Sequence, residues 1–527
     1  MLRKKSQFMF SLLFAIALTV QSMIHFTGDI DQRLLEDTFT FSLVKQLCVF
    51  CAGLAAAWLV FSVMLRLAAL DREKHFLTCF PLPVISKGKA WLLWSLYTGS
   101  IWIMYFLFFL LHYPGYVLDD SISSLMQITG QMGYSNHHPV IYTLFVGVFV
   151  KLGYTLTGSY NIGVAIYSAV QLTIISGAMG FIMLSLRRHG VRQYVMVLIW
   201  LYLTVNNLFS LYSIVMWKDP LFSVFLLLFV WVLYEKGTLE DSPVSFSSDV
   251  LLCILLFLTA FFRNNGIYIS LFMIPLIIIR YSGKKRRRRT AIAILLTGIL
   301  ILVIRYPVFT LAGVNTSHAE ESVAIPMQQI AYTIHDGNSI VQSDEIDAIM
   351  PLEKWGEEYR PFRADFIKWA PDFNTEEMNL HTGRFLSDWA SGLKDNFAGY
   401  VKAYLMETYG YYTVNTRDSY SYTYYFRDDN DWELHQSDLL SRAGLGRLAP
   451  LFSMRWNISA GSLVWILFLC LFLLLSQRRL NAAFALIPLV LLWATIMIAA
   501  PVAFSLRYVL ALAYALPVLL LMPFLAD

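Results

Sequence analysis

The sequence predicts an all-α polytopic membrane protein: about twelve transmembrane helices carrying one mainly helical extracytoplasmic domain. Three observations predict it. First, 57% of the 527 residues are hydrophobic and 14% are charged, with a mean hydropathy of +0.57; a soluble domain carries about 25% charged residues. Second, thirteen apolar runs recur along the chain, and a transmembrane helix needs roughly 20 apolar residues. Third, charge is segregated: residues 310–457 hold 22 acids and 12 bases, a net −10, while the rest of the chain is +14. These features exclude a soluble globular, disordered or fibrous chain, and the uniformly basic surface of a nucleic-acid binder.

The runs lie at about 7–24, 41–65, 90–111, 139–157, 162–186, 193–213, 219–235, 249–262, 267–280, 291–309, 459–476, 481–500 and 507–524. Arg3-Lys4-Lys5 precedes the first, and no small-x-small cleavage site follows it, so an uncleaved helix is expected instead of a signal peptide. Other basic clusters stand between 66 and 89, at 187–192, at 280–289 and at 478–479. Short Lys/Arg-rich loops stay cytoplasmic. If all thirteen runs span, parity reverses after residue 157 and puts the 284–289 block outside. If 139–157, with its Gly147, Lys151 and Gly153, lies along the outer interface, every basic cluster falls inside. Both termini are then cytoplasmic and 310–457 is extracytoplasmic. This second reading is adopted for a multi-pass cell-membrane protein. Its domains are 1–89 (two helices and a cytoplasmic loop), 90–309 (a transmembrane core with first outer loop 112–161), 310–457 (acidic, outer) and 458–527 (three helices).

Runs 249–262 and 267–280 are short and flank Arg263-Asn264-Asn265-Gly266. They predict a hairpin whose polar tip faces a cavity, because irregular backbone at membrane depth needs cover. Val323 to Thr333, Ser343 to Met350 and Thr375 to Thr408 show helical patterning, with acids near their starts. Tyr411 to Tyr425 reads as a loop or short strands. Cys48-x-x-Cys51 sits mid-span without a nearby His, so small buried hydrophobes are expected there instead of a redox or metal pair. The acidic segment has no cysteine and hence no disulfide.

Candidate chemistry collects on the outer face. Tyr113-Pro114-Gly115 turns into Asp119-Asp120, and Ile122, Leu125, Met126, Thr129 and Met132 follow at spacings of three and four. That pattern predicts an amphipathic helix lying on the membrane. The aspartates fit N-caps, and equally a general base or metal ligand held at the bilayer boundary. His137-His138-Pro139 is a vicinal pair whose side chains point apart, which suits a structural or phosphate contact better than a metal. Lys218-Asp219 reads as a cap with a neutralising neighbour, or as part of a site. Snorkelling explains any one of Arg263, Arg305 and Arg507. Together with Lys218 they point to an anionic ligand such as a phosphate at the outer leaflet. No P-loop, dinucleotide fingerprint, zinc-protease motif or nucleophile elbow occurs, which argues against an ATP-driven pump.

The stretch Tyr116-Val117-Leu118-Asp119-Asp120-Ser121, then Gln127, then Asn136-His137-His138-Pro139 resembles the first outer loop of the multi-span glycosyltransferases of the GT-C fold. A narrower resemblance, from about residue 90 to the end, is to an uncharacterised bacterial membrane family within that superfamily, a domain of unknown function. It is carried by Asn136-His137-His138-Pro139, Trp217-Lys218-Asp219-Pro220-Leu221-Phe222, Phe262-Arg263-Asn264-Asn265-Gly266, Ala324-Ile325-Pro326-Met327-Gln328-Gln329-Ile330-Ala331 and Arg507-Tyr508.

The resemblance implies a GT-C-like bundle and an inverting glycosyltransferase of a bacterial envelope. Its donor would be a polyprenyl-phosphate-linked sugar. Its acceptor would be an envelope glycan, teichoic acid or lipid on the outer face. Asp120, with Asp119 beside it, would be the catalytic base. His137, His138, Lys218, Asp219, Arg263, Asn264, Gln329 and Arg507 would bind substrate. No cofactor is expected; a divalent metal stays an open alternative that no Asp-x-Asp in the first loop supports. Two rival readings are a flippase of lipid-linked sugars, disfavoured by spans that are apolar at mid-depth, and a non-enzymatic envelope assembly protein binding through the acidic domain.

Overall fold

The computed structural model of the protein describes residues 2–27, 36–238, 246–282, 288–337, 343–416, 425–456, 458–499 and 502–525. The fold is mostly helical (74%). Among the described residues the sheet is one antiparallel hairpin, β1 (Ile24–Thr27) and β2 (Glu36–Phe39), with Ile24 opposite Phe39. The apolar runs fold as helices because backbone groups in hydrocarbon must satisfy one another.

The first twelve helices are α1 (Leu2–Gln21), α2 (Leu43–Lys74), α3 (Lys87–Leu111), α4 (Asp119–Thr129), α5 (Val140–Thr157), α6 (Tyr160–Arg188), α7 (Gln193–Val205), α8 (Asn207–Tyr212), α9 (Lys218–Thr238), α10 (Phe246–Phe262), α11 (Asn264–Ser282) and α12 (Arg288–Leu311). A π-helical turn at Ile304–Val308 interrupts the last. The acidic segment contributes α13 (Ala324–His335), α14 (Asp344–Ile349), α15 (Leu352–Glu358), α16 (Asp365–Lys368), α17 (Thr375–Gly392), α18 (Phe397–Glu407) and α19 (Leu439–Arg442). The chain ends with α20 (Ala460–Ser476), α21 (Leu480–Ala485), α22 (Ile487–Ile498) and α23 (Leu510–Leu521). Seven described helices (α2, α3, α5, α6, α9, α11 and α12) are long and apolar enough to cross a membrane, and five shorter apolar helices accompany them. The chain is a multi-pass membrane protein.

Several expectations are corrected. The run 193–213 is split at Asn206, whose Oδ1 accepts from Leu208 N at 3.2 Å and from Trp456 N at 3.4 Å. A side-chain cap held by a distant segment thus replaces a continuous helix. Cys48 and Cys51 are exposed, not buried, because α2 packs mainly on α1 and leaves the rest of its surface bare. Helix α4 stops at Gly130, where φ is +82°, so Met132 lies beyond it. Its apolar face packs on α5, with Ile128 buried against Gly147, and so meets protein instead of lipid. Positions 284–287 of the basic block, 417–424 of the Tyr-rich stretch and 500 of the 481–500 run lie outside the described residues.

Helices α10 and α11 exceed the runs that predicted them and break only at Arg263. Gly266 permits their close approach, since a Cβ there would lie 1.8 Å from Thr259 O. Helix α5 packs on the first turns of α6: Tyr142 OH meets Tyr167 OH at 3.1 Å, and a Cβ on Gly153 would lie 2.4 Å from Gly163 Cα. Helix α5 starts after His138 and turns at Gly158 straight into α6. Trp102 Nε1 donates to Thr173 Oγ1 at 2.9 Å, and Gln171 Nε2 donates to Val215 O at 2.8 Å. The fourth turn of α6 therefore stands beside Trp102 of α3 and the segment that leads into α9.

The bundle core centres on Tyr105, Tyr167, Phe222, Trp231 and Tyr514. A second core of Met327, Trp355, Phe385 and Met406 fills the acidic segment and also takes in Ile24, Ala503 and Phe504. The expected helical patterning there appears as α13, α14, α17 and α18.

Candidate functional site

Several helix ends converge on one point. Tyr116 N donates to Ile214 O at 3.1 Å, and Tyr116 O accepts from Met216 N at 3.0 Å. Gly115, with φ at +118°, lets the strands pass this closely; a Cβ would lie 2.8 Å from Ile214 O. This pairing sets the first turn of α4 beside that of α9. Ser121 Oγ reinforces it, accepting from Leu118 N at 3.2 Å and donating to Met216 O at 2.8 Å. Leu118 is the N-cap, which corrects the expectation that an aspartate caps α4. Asp119 and Asp120 instead occupy its first turn, where the helix dipole favours a carboxylate. Lys218 and Asp219 open α9, Arg263 sits at the α10–α11 break, and Arg507 lies in the turn before α23.

Arg507 joins these pieces. Its Nε donates to Asp219 Oδ2 at 2.8 Å, its Nη2 bonds Asp120 Oδ2, and its guanidinium lies 3.8 Å from the centroid of the Trp217 ring. Arg263 Nε lies 3.3 Å from Asp219 Oδ1, and its Nη1 donates to Tyr508 O at 2.9 Å. Lys218 Nζ lies 3.8 Å from Asp120 Oδ2 and 3.1 Å from His138 Nδ1. Three cations thus face two carboxylates. Asp219 is 1% exposed and Asp120 32%, so only Asp120 can meet a ligand. Asn264 Nδ2 donates to Asn136 O at 3.0 Å and His137 O at 3.1 Å, fixing the backbone of the His pair.

Burial alone would raise the Asp120 carboxyl, but the Arg507 and Lys218 cations hold it well below the usual carboxylate range. Burial lowers His137 and His138, and the Lys218 ammonium lowers them further. A neutral His138 with a bare Nδ1 is the form that accepts from Lys218.

A cavity of about 1430 Å³ opens from this cluster. Its polar end is lined by Asp119, Asp120, His137, Lys218, Arg263 and Arg507. Its other end runs between α11 and α22, past Tyr268, Ile269, Phe272, Leu491 and Ile498. Tyr268, Phe272 and Ile498 are exposed on the helix surface there. Arg305, in the π-helical turn, and Arg455 add positive charge to the wall.

Of the residues expected from sequence, Asp120, His138, Lys218, Asp219, Arg263 and Arg507 form one cluster, and His137 and Asn264 form its edge. Asp119 lines the cavity but turns away from the cations, bonding Tyr425 OH and pairing with Arg427 Nη1 at 3.1 Å. Gln329 does not join, which corrects its assignment. Its Oε1 accepts from Trp389 Nε1 at 2.7 Å and its Nε2 donates to Tyr400 O at 2.9 Å, both inside the acidic segment. Sequence reasoning missed Trp217, although it adjoins Lys218-Asp219. It also missed Glu321, Arg363, Asp365, Lys368 and Trp369, which line the cavity from the acidic segment. Among the described residues, no group of three or more His, Cys, Asp or Glu could hold a metal ion.

A protein-family model described as a family of unknown function, DUF6020, matches residues 129–526. The match takes in His137, His138, Lys218, Asp219, Arg263 and Arg507, while Asp119 and Asp120 precede it. No curated protein and no solved structure matches the chain.

Proposed function

We propose that this chain, which belongs to the DUF6020 family of unknown function, is a membrane glycosyltransferase that uses a polyprenyl-phosphate-linked sugar. One observation carries the reading. A single large cavity joins a cluster with excess positive charge to an apolar groove whose wall residues Tyr268, Phe272 and Ile498 are exposed on membrane helices. An amphiphile with an anionic head and a long apolar tail fits that shape and charge. The tail lies between α11 and α22, and the head meets Arg507, Lys218 and Arg263.

The chemistry follows from the charges. The acceptor hydroxyl attacks the anomeric carbon from the face opposite the phosphate. Its new C–O bond forms as the bond to the phosphate oxygen breaks, and its proton passes to Asp120. The lipid phosphate leaves as a dianion. Arg507, Lys218 and Arg263 stabilise the charge that grows on it. With Asp120 bonded to Arg507, its proton affinity is low. A phosphate that draws Arg507 and Lys218 toward itself raises that affinity and readies the base.

The packing of α5 supports a reading with twelve spans, and the GT-C-like arrangement rests on the resemblance of the first outer loop. With α5 packed along only the first turns of α6, α5 lies along the interface and the remaining helices restore the parity of the basic loops. The site and residues 310–457 then face outside, with both termini cytoplasmic. The acceptor is an envelope glycan or lipid. Envelope glycan analysis of a deletion strain tests this function. One glycan or glycolipid should lose a sugar and regain it when the gene is restored. An unchanged glycan profile contradicts the reading.

A further inference from the structure

The acidic segment gives the cavity a second wall of different character. Lys368 Nζ bonds Glu321 Oε1 and Oε2, both at 2.9 Å, and lies 2.9 Å from Asp365 Oδ1. Arg363 Nε donates to Asp365 Oδ2 at 2.7 Å. The Arg363 guanidinium lies 5.1 Å and the Lys368 ammonium 5.7 Å from the centroid of the Trp369 ring. That ring lines the cavity and yet is 65% exposed. Two cations here face two carboxylates, so the wall has no excess charge, unlike the Arg507 cluster. It offers an indole that stays largely exposed although both cations lie over the ring, with fixed donors and acceptors alongside.

The wall is anchored to the donor end from two sides. Ala503 N donates to Phe362 O at 2.8 Å, and Arg363 pairs with Val502, just ahead of Arg507. On the other side, His137 Nδ1 lies 4.0 Å from Glu321 Oε1.

We propose that this wall is the acceptor subsite, and that the acceptor presents a neutral pyranose that stacks on Trp369 beside Arg363 and the Lys368–Glu321 pair. The proposal rests on the glycosyltransferase reading. It narrows the acceptor from any envelope polymer to one ending in an uncharged sugar. An anionic polyol phosphate gains nothing from a wall whose cations are already paired. A sugar ring presents C–H groups to an aromatic face and hydroxyls to charged partners.

The test uses the full chain in lipid nanodiscs and saturation-transfer NMR. The probes are methyl β-glucoside, methyl β-galactoside and methyl β-N-acetylglucosaminide, with inorganic phosphate as competitor. At least one glycoside should receive saturation, and phosphate should not displace it. Trp369→Ala should weaken its apparent affinity roughly three- to tenfold, the range for one aromatic contact. Trp369→Phe should restore most of the loss. Three silent glycosides, displacement by phosphate, or an unaffected Trp369→Ala variant overturns the proposal; the indole is then a membrane-interface anchor. Farnesyl phosphate titrated into the same nanodiscs separates the two readings. If it binds and the glycosides do not, only the acceptor subsite fails. If a glycoside binds at Trp369 and farnesyl phosphate does not bind, the donor reading fails and the sugar platform stands.

Discussion

Arg507 and Asp219 are 288 residues apart in the chain and meet at 2.8 Å, with Asp219 only 1% exposed. The same guanidinium also bonds Asp120, which faces the cavity. One arginine therefore ties the C-terminal helix to α9 while presenting a second carboxylate to a ligand. A planar guanidinium can hold two carboxylates in fixed directions, and an ammonium cannot do so equally well.

Removing that arginine should unfold the region. Arg507→Ala leaves Asp219 buried with Arg263 as its remaining close cation, and breaking such a buried pair typically costs about 3–5 kcal/mol. Melting in detergent should show a clear drop for Arg507→Ala and a smaller one for Arg507→Lys. A wild-type melting temperature in the Ala variant removes Arg507 from the structural hub.

Arg263 should act on the donor. Its charge-assisted contact to a phosphate is worth about 1.5–3 kcal/mol, so Arg263→Ala should weaken farnesyl phosphate binding accordingly, and Arg263→Lys should recover part of it. Acceptor affinity should barely change. Unchanged donor affinity in a folded Ala variant takes Arg263 out of the phosphate site.

Stability should fall on mild acidification. His138 is held well below its usual value by burial and Lys218, while an unfolded histidine titrates near ~6.5. The unfolded state thus binds more protons below that pH, so the His138 contribution is present above about pH 6.5 and is lost as pH falls below it. Melting temperatures at pH 5.0 and 7.5 should differ more for wild type than for His138→Gln. An equal difference in both proteins removes His138 as a source.

Sidedness can be read by thiol labelling in a background without the five native cysteines. Cysteine at Ser247 or Ser282 should be shielded from an impermeant reagent in intact cells, and cysteine at Ser343 or Ser437 should label. Cysteine at the exposed Thr155, near the end of α5, should label as well. A shielded position 155 means that α5 spans the membrane, and a labelled position 282 overturns the twelve-span arrangement.

Much of this was legible in the sequence because the bilayer imposes coarse rules. Long apolar runs became helices, and Asp120, Lys218, Arg263 and Arg507 stood out as charges at the ends of such runs. What joins them is long-range: nothing near Asn206 announces that Trp456 will complete its cap, and nothing near Gln329 announces Trp389 and Tyr400. Arg363 to Trp369 lies outside the stretches with helical patterning, and its place on the cavity wall needed the pairing of Phe362 with Ala503. Cys48 and Cys51 misled because an apolar run does not say whether a helix faces protein or lipid.

The central claim is that Asp120 takes the acceptor proton. Purified protein should release polyprenyl phosphate from lipid-linked sugar when envelope acceptor is supplied, measured alongside Asp120→Asn and Asp119→Asn. Asparagine keeps the shape of the helix start but accepts no proton at neutral pH. Asp120→Asn should fold and bind donor yet lose roughly 10²–10⁴ in turnover, the usual contribution of a positioned base. Asp119→Asn, which loses only the contacts to Tyr425 and Arg427, should lose far less. Wild-type turnover in a folded Asp120→Asn protein contradicts the account.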